Sequence, residues 1–155
     1  MGDSYLSLIS QSMQVEFQIS ELYQSFSNAF AEDEGFWKQL ALEESNHADM
    51  MHQLKTYFNN QDIHQEVLSR DFDAISHSIE QISKLMEDVR QNVLSREEAF
   101  NLALELEVSI VEKYYQVGMV KKAESEILKI FQKCNGESRD HIERIKQYMK
   151  KKGMR

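Results

Sequence analysis

The sequence predicts an all-α protein: a bundle of four main helices with an additional, shorter helix carried in a long crossover. Three observations predict it. The 155 residues contain no proline and only five glycines, which suits long helices and leaves too few turn formers for a β-sandwich or barrel. Apolar residues recur at helical spacing in five stretches. The last two of those stretches repeat the design of the first two at nearly the same offset.

The first stripe reads Leu6, Ile9, Met13, Glu16, Ile19, Tyr23, Phe26 and Phe30. After Ala31-Glu-Asp-Glu-Gly35 the second reads Trp37, Leu40, Glu44, His47, Met51, Leu54 and Phe58, and Asn59-Asn60 stops it. The third reads Phe72, Ile75, Ile79, Ile82, Met86, Val89 and Val93. Ser95-Arg-Glu-Glu98 follows, a capping box in which Ser95 and Glu98 satisfy each other's free backbone N–H groups. It opens the fourth stripe: Phe100, Leu104, Glu107, Ile110, Tyr114 and Val117. The fifth reads Ile127, Phe131, Cys134, Ser138, His141, Ile145 and Tyr148, and is expected to fray into a basic tail from Lys150.

The third stripe serves as an internal control, because it is apolar throughout, as befits a helix that only packs. The other four carry ionisable or polar groups in mid-stripe. An unpaired carboxylate is costly to bury, so several aimed at one core must be neutralised, and bound cations do so directly.

The repeat locates the groups. Shifting the fourth helix by 91 positions places Glu16 on Glu107, Ile19 on Ile110, Glu21 on Glu112 and Tyr23 on Tyr114. Shifting the fifth by 94 places Trp37 on Phe131, Glu43 on Glu137, His47 on His141 and Met51 on Ile145. Two helical hairpins of similar design are therefore expected in one domain spanning residues 1–155, joined by the crossover. Glu44 and His47, three apart, share a helix face and can reach one metal pair together. Glu16 and Glu107 approach from facing helices and His141 from the fifth. Carboxylate oxygen with imidazole nitrogen suits iron or manganese, and zinc is chemically possible.

Composition bounds the rest. A net charge of −8 argues against nucleic-acid backbones and anionic membranes as partners. The single cysteine, Cys134, excludes an internal disulfide and points to a reducing cytoplasm. No stretch reaches the ~20 apolar residues of a membrane span, so a cytoplasmic protein is expected. His52, His64 and His77 fall off the inward stripes and read as solvated. Lys150 to Lys152 read as a charged helix end, favourable beside the helix dipole.

Glu16 with Tyr23, Glu44-Ser-Asn-His47, and Glu107 with Tyr114 together resemble the rubrerythrin and bacterioferritin branch of the ferritin-like superfamily. The resemblance covers almost the whole chain. It implies a ferritin-like bundle with two metal ions, iron first, held by one Glu from each of two helices and Glu-x-x-His from the other two. It also implies that Tyr23 or Tyr114 lies close to the site and hydrogen-bonds a ligand carboxylate. One position departs. Ser138 stands where that family places its last Glu, and the nearest carboxylate is Glu137, four residues before His141. Glu16, Glu44 and Glu107 supply three negative charges against the four positive charges of two divalent ions, so Glu137 is favoured as the remaining ligand. Asn135-Gly136, weak in a helix, would let the chain deform and turn Glu137 inward.

The function so implied is a di-iron oxidoreductase that reacts with peroxide or dioxygen. With one cysteine there is no rubredoxin module, so electrons come from a separate donor. An assembly of identical chains, a dimer, is expected for the enzyme. A bacterioferritin-like subunit that oxidises and stores ferrous iron is the alternative, and a metal-free helical interaction module is a third.

Overall fold

The computed structural model describes residues 3–58, 72–119 and 126–154. Asn59, Asn60 and His64 lie outside the described residues. So do the side chains of Leu6, Ile9, Leu54, Phe58, Phe72, Ile75, His77, Ile79, Glu112, Tyr114, Val117, Ile127, Phe131 and Cys134.

Every regular element among the described residues is helical, as the composition and spacing predict. Helix α1 spans Asp3–Ala29, α2 Glu34–Phe58, α3 Phe72–Arg90, α4 Arg96–Met119 and α5 Glu126–Lys151. No helix among the described residues is long and apolar enough to cross a membrane. The chain divides into two compact units, Met1–Val89 and Arg90–Arg155.

In the first unit α1 packs along α2. Val15, Ile19, Leu22, Tyr23 and Phe26 of α1 are buried along one helical stripe, as are Trp37, Leu40, Ala41, Ala48 and Met51 on one face of α2. The stripes converge on Trp37. Its ring centre lies 5.3 Å from that of Tyr23, 4.8 Å from that of Phe26 in an edge-to-face arrangement, and 5.4 Å from that of Phe36. Aromatic pairs of this kind each contribute about 0.5–1.5 kcal/mol beyond the area they bury.

The connection between α1 and α2 is tighter than the Ala31–Gly35 loop expected from sequence. A single 3-10 turn, Ala31–Asp33, closes it, and Gly35 already lies inside α2. Phe30 donates from its backbone N–H to the Phe26 carbonyl at 2.9 Å, and Asp33 to the Phe30 carbonyl at 3.0 Å. Acidic Glu32, Asp33 and Glu34 cluster where α2 begins, the end of a helix that favours negative charge. Helix α3 buries Ile82, Leu85 and Val89 and exposes Glu80, Lys84 and Glu87, an amphipathic pattern with no buried charge among its described side chains. Beyond its last turn Asn92 takes a left-handed backbone with φ of 54°, a conformation asparagine tolerates better than most side chains.

In the second unit α4 packs along α5. The capping box is present: Ser95 N–H donates to Glu98 Oε1 at 3.3 Å, and Glu98 N–H donates to Ser95 Oγ at 3.1 Å. Phe100 stacks on Tyr148 at 5.3 Å with ring planes 11° apart. At its far end α5 does not fray as expected. Gly153, with φ of 74°, donates from its N–H to the Lys150 carbonyl at 3.2 Å, and Met154 to the Met149 carbonyl at 2.8 Å. This is a Schellman stop, which needs a residue that tolerates positive φ and finds one in glycine. Helix α5 also runs regularly through Asn135 and Gly136, so the deformation expected there does not occur.

Candidate metal centre

The polar groups in mid-stripe are fully buried: Glu16 on α1, Glu44 and His47 on α2, Glu107 on α4, and Ser138 and His141 on α5. Each of these stripes carries its buried polar groups within an otherwise apolar row, as the sequence predicts.

In the α1–α2 hairpin the register is set beside the cluster. Ser20, one turn beyond Glu16, donates its hydroxyl to the Ala41 carbonyl at 2.7 Å, and Ala41 lies one turn before Glu44. Glu44 and His47 project from one face because they stand three residues apart. His47 Nδ1 lies 3.3 Å from Glu44 Oε2 and 3.5 Å from Glu16 Oε2. One ligand atom from each of Glu16, Glu44 and His47 lies within 4.8 Å of the others.

Electrostatics follow from burial among carboxylates. Burial disfavours the charged imidazole, but hydrogen bonds and charge interactions with Glu16 and Glu44 outweigh it and raise the His47 pKa to about 11. Two carboxylates therefore hold a proton on His47 far above the usual histidine range. A divalent cation among the same three groups would take over that neutralising role, with the imidazole as neutral ligand.

The α4–α5 hairpin repeats part of this arrangement. His141 Nδ1 lies 3.3 Å from Glu107 Oε1, both residues fully buried. The first helix of each hairpin thus presents a glutamate to a histidine Nδ1 of the second, at 3.5 Å in one and 3.3 Å in the other. The third member differs. The offset of 94 that carries His47 onto His141 carries Glu44 onto Ser138. Ser138 is fully buried, and its Oγ makes no hydrogen bond among the described residues. Glu137, favoured from sequence as the remaining ligand, is half-exposed one position away, and no cluster of ligand atoms among the described residues includes it.

Tyr23 is fully buried against Trp37, and the Tyr114 side chain lies outside the described residues. His52 is exposed, as expected. The sequence reading passed over Asp33, which is fully buried while its neighbours Glu32 and Glu34 are exposed. In an acidic run of three, nothing in the spacing distinguishes the middle carboxylate from a solvated one.

The donor set fits a hard or borderline divalent cation: two carboxylates and one imidazole converge in hairpin α1–α2, and a carboxylate and an imidazole meet in hairpin α4–α5. Compared with known proteins, the chain matches no family model, no curated protein and no solved structure.

Proposed function

We propose that this chain is a ferritin-like di-metal carboxylate protein, a rubrerythrin-like oxidoreductase that uses iron and reacts with peroxide or dioxygen. The observation that carries the reading is the buried trio Glu16, Glu44 and His47, with ligand atoms within 4.8 Å of one another. Two carboxylates and an imidazole are costly to place in an apolar core and are retained there when something cationic uses them. The repeat of the Glu–His pair in α4–α5 supports a second metal position. The amphipathic α3 supports a bundle made of α1, α2, α4 and α5, with α3 in the crossover.

When bound, two ferrous ions would supply the electrons for reducing an O–O bond. The chain's own residues have simpler tasks. Glu16, Glu44 and Glu107 offer anionic oxygen to the metals, and His47 and His141 offer imidazole nitrogen. His47 gives up its proton as the cation enters, so uptake is coupled to proton release. Tyr23, locked by Trp37 and Phe26, stands on the same face of α1 as Glu16, two turns along, and steadies the apolar wall that limits water. Electrons come from a separate donor, the working assembly is a dimer, and the compartment is the cytoplasm.

The test is elemental analysis of protein purified without added metal. The proposal expects iron above other transition metals, and its loss in His47→Ala. Protein that retains no metal and takes none up from ferrous salt under argon sinks the reading and leaves a helical interaction module.

A further inference from the structure

We infer that Ser12 is a positioning residue for Glu16: its buried hydroxyl donates, through one bridging water, to the Glu16 carboxylate and holds that carboxylate toward His47. The inference concerns hairpin α1–α2 alone, and its consequence for metal rests on the di-metal reading.

Three observations on α1 carry it. Ser12 is fully buried, and its Oγ makes no hydrogen bond among the described residues. A buried hydroxyl is costly to leave so, and such groups are ordinarily satisfied by protein or by ordered water. Ser12 also stands four residues before Glu16, equally buried, so the two share one face of α1. Long helical side chains lean toward the helix N-terminus, which directs Glu16 back over the turn that bears Ser12. Finally, the hydroxyl one turn to the other side of Glu16 is committed, since Ser20 donates to the Ala41 carbonyl at 2.7 Å. Of the two hydroxyls that flank Glu16 on α1, Ser12 has the proton to give.

Helix α2 presents apolar groups at this level. About two turns from the Ser20–Ala41 bond along both helices, Ser12 comes level with Ala48, whose buried methyl accepts no hydrogen bond, and Met51 follows one turn on. The anionic acceptor on the face of Ser12 is Glu16. Positions four apart on a helix have Cβ atoms about 6 Å apart, a span that one water closes between a short hydroxyl and a carboxylate. A carboxylate accepts several hydrogen bonds, so Glu16 can take this one and still meet His47 Nδ1 at 3.5 Å. The tie restricts rotation of the carboxylate and keeps its oxygen within the Glu16, Glu44 and His47 cluster.

The experiment titrates manganese(II) into the metal-free full chain and reads unbound ion by its electron paramagnetic resonance signal. Ser12→Ala should weaken binding about tenfold, on the scale of losing a hydrogen bond to a ligand. Ser27 supplies the control: it is also fully buried on α1 with no hydrogen bond to its Oγ among the described residues, and it lies eleven positions beyond Glu16. Ser27→Ala should bind as the parent does. Parent-like binding in Ser12→Ala overturns the inference, and so does an equal loss in Ser27→Ala, because packing of α1 then explains both. Urea unfolding of the metal-free chain asks the same question without an ion. Ser12→Ala should lower the midpoint in the parent and leave it unchanged or raised in Glu16→Leu, where the acceptor is gone. Equal shifts in both backgrounds overturn the inference. If the parent takes up no manganese, the di-metal reading falls and the urea comparison alone decides whether Ser12 is tied to Glu16.

Discussion

The Ser20 hydroxyl donates a 2.7 Å hydrogen bond to the Ala41 carbonyl, tying α1 to α2 within one turn of both Glu16 and Glu44. This bond fixes the register on which the carboxylate–histidine geometry depends. Ser20→Ala should lower stability by about 0.5–1.5 kcal/mol, the usual net worth of such a bond. It should also weaken metal binding severalfold, although no ligand is touched. Urea unfolding and metal titration of the same variant check both effects, and an unchanged metal affinity would show that the register is held by packing alone.

On the di-metal proposal, Glu44→Ala should greatly weaken metal binding, because Glu44 belongs to the buried carboxylate–histidine cluster. It should also lower the apparent pKa of His47, since Glu44 is one of the two carboxylates that raise it. Tyr23→Phe should retain the metal, because Tyr23 belongs to the apolar wall, and should alter reactivity with peroxide. Metal content and stopped-flow absorbance separate the two variants. Full occupancy in Glu44→Ala would remove Glu44 from the ligand set.

The pH dependence of the metal-free chain has a definite sign. The His47 pKa is raised from 6.5 to about 11 in the folded protein, so the folded state binds this proton more tightly than the unfolded chain. Its stabilising contribution is fully present below pH 6.5 and is lost as pH rises through about 11. Unfolding midpoints should fall across that interval, and Glu16→Gln should flatten the fall. At neutral pH, metal uptake should release about one proton from His47, measurable by calorimetry in buffers of different ionisation enthalpy.

Two glycines, Gly136 inside α5 and Gly153 just beyond its end, should respond in opposite directions. A Cβ at Gly136 meets nothing within 4 Å, so Gly136→Ala should stabilise the helix by about 0.5–1 kcal/mol. Gly153 has a positive φ, so Gly153→Ala should destabilise its stop by about as much or more. Thermal melts of the two variants, displaced to opposite sides of the parent chain, would confirm the assignment.

The site was legible where a periodic rule governs it. Glu44 and His47 share a face because they are three residues apart, and the repeat supplied their counterparts without knowledge of any contact. Ser95 and Glu98 were legible because a capping box is local chemistry. The course of α5 beside Glu137 was not legible: the inward turn expected of Glu137 drew on a deformation at Asn135-Gly136, and α5 is a regular helix there. The cost of one weak helix former is about 1 kcal/mol, too little to break a helix whose next residues, Ser138, His141, Ile142 and Ile145, are buried. Asp33 and the Gly153 stop depend on backbone conformation, which hydrophobic spacing does not report.

Helix α4 begins with bonds between Ser95 and Glu98, and α5 ends with bonds among Met149, Lys150, Gly153 and Met154. Every partner lies within five residues along the chain, so these closures can form at the pace of a single helical turn, with no distant segment required. The turn between α1 and α2 is different. Its backbone bonds, from Phe30 to Phe26 and from Asp33 to Phe30, are as local, but Phe30 makes no side-chain cap there, and Trp37 packs against Tyr23 and Phe26, contacts that exist only once both helices are present. The outer ends of α4–α5 are therefore closed by local bonds alone, whereas the hairpin that carries Glu16, Glu44 and His47 adds a closure that waits for its aromatic residues to meet.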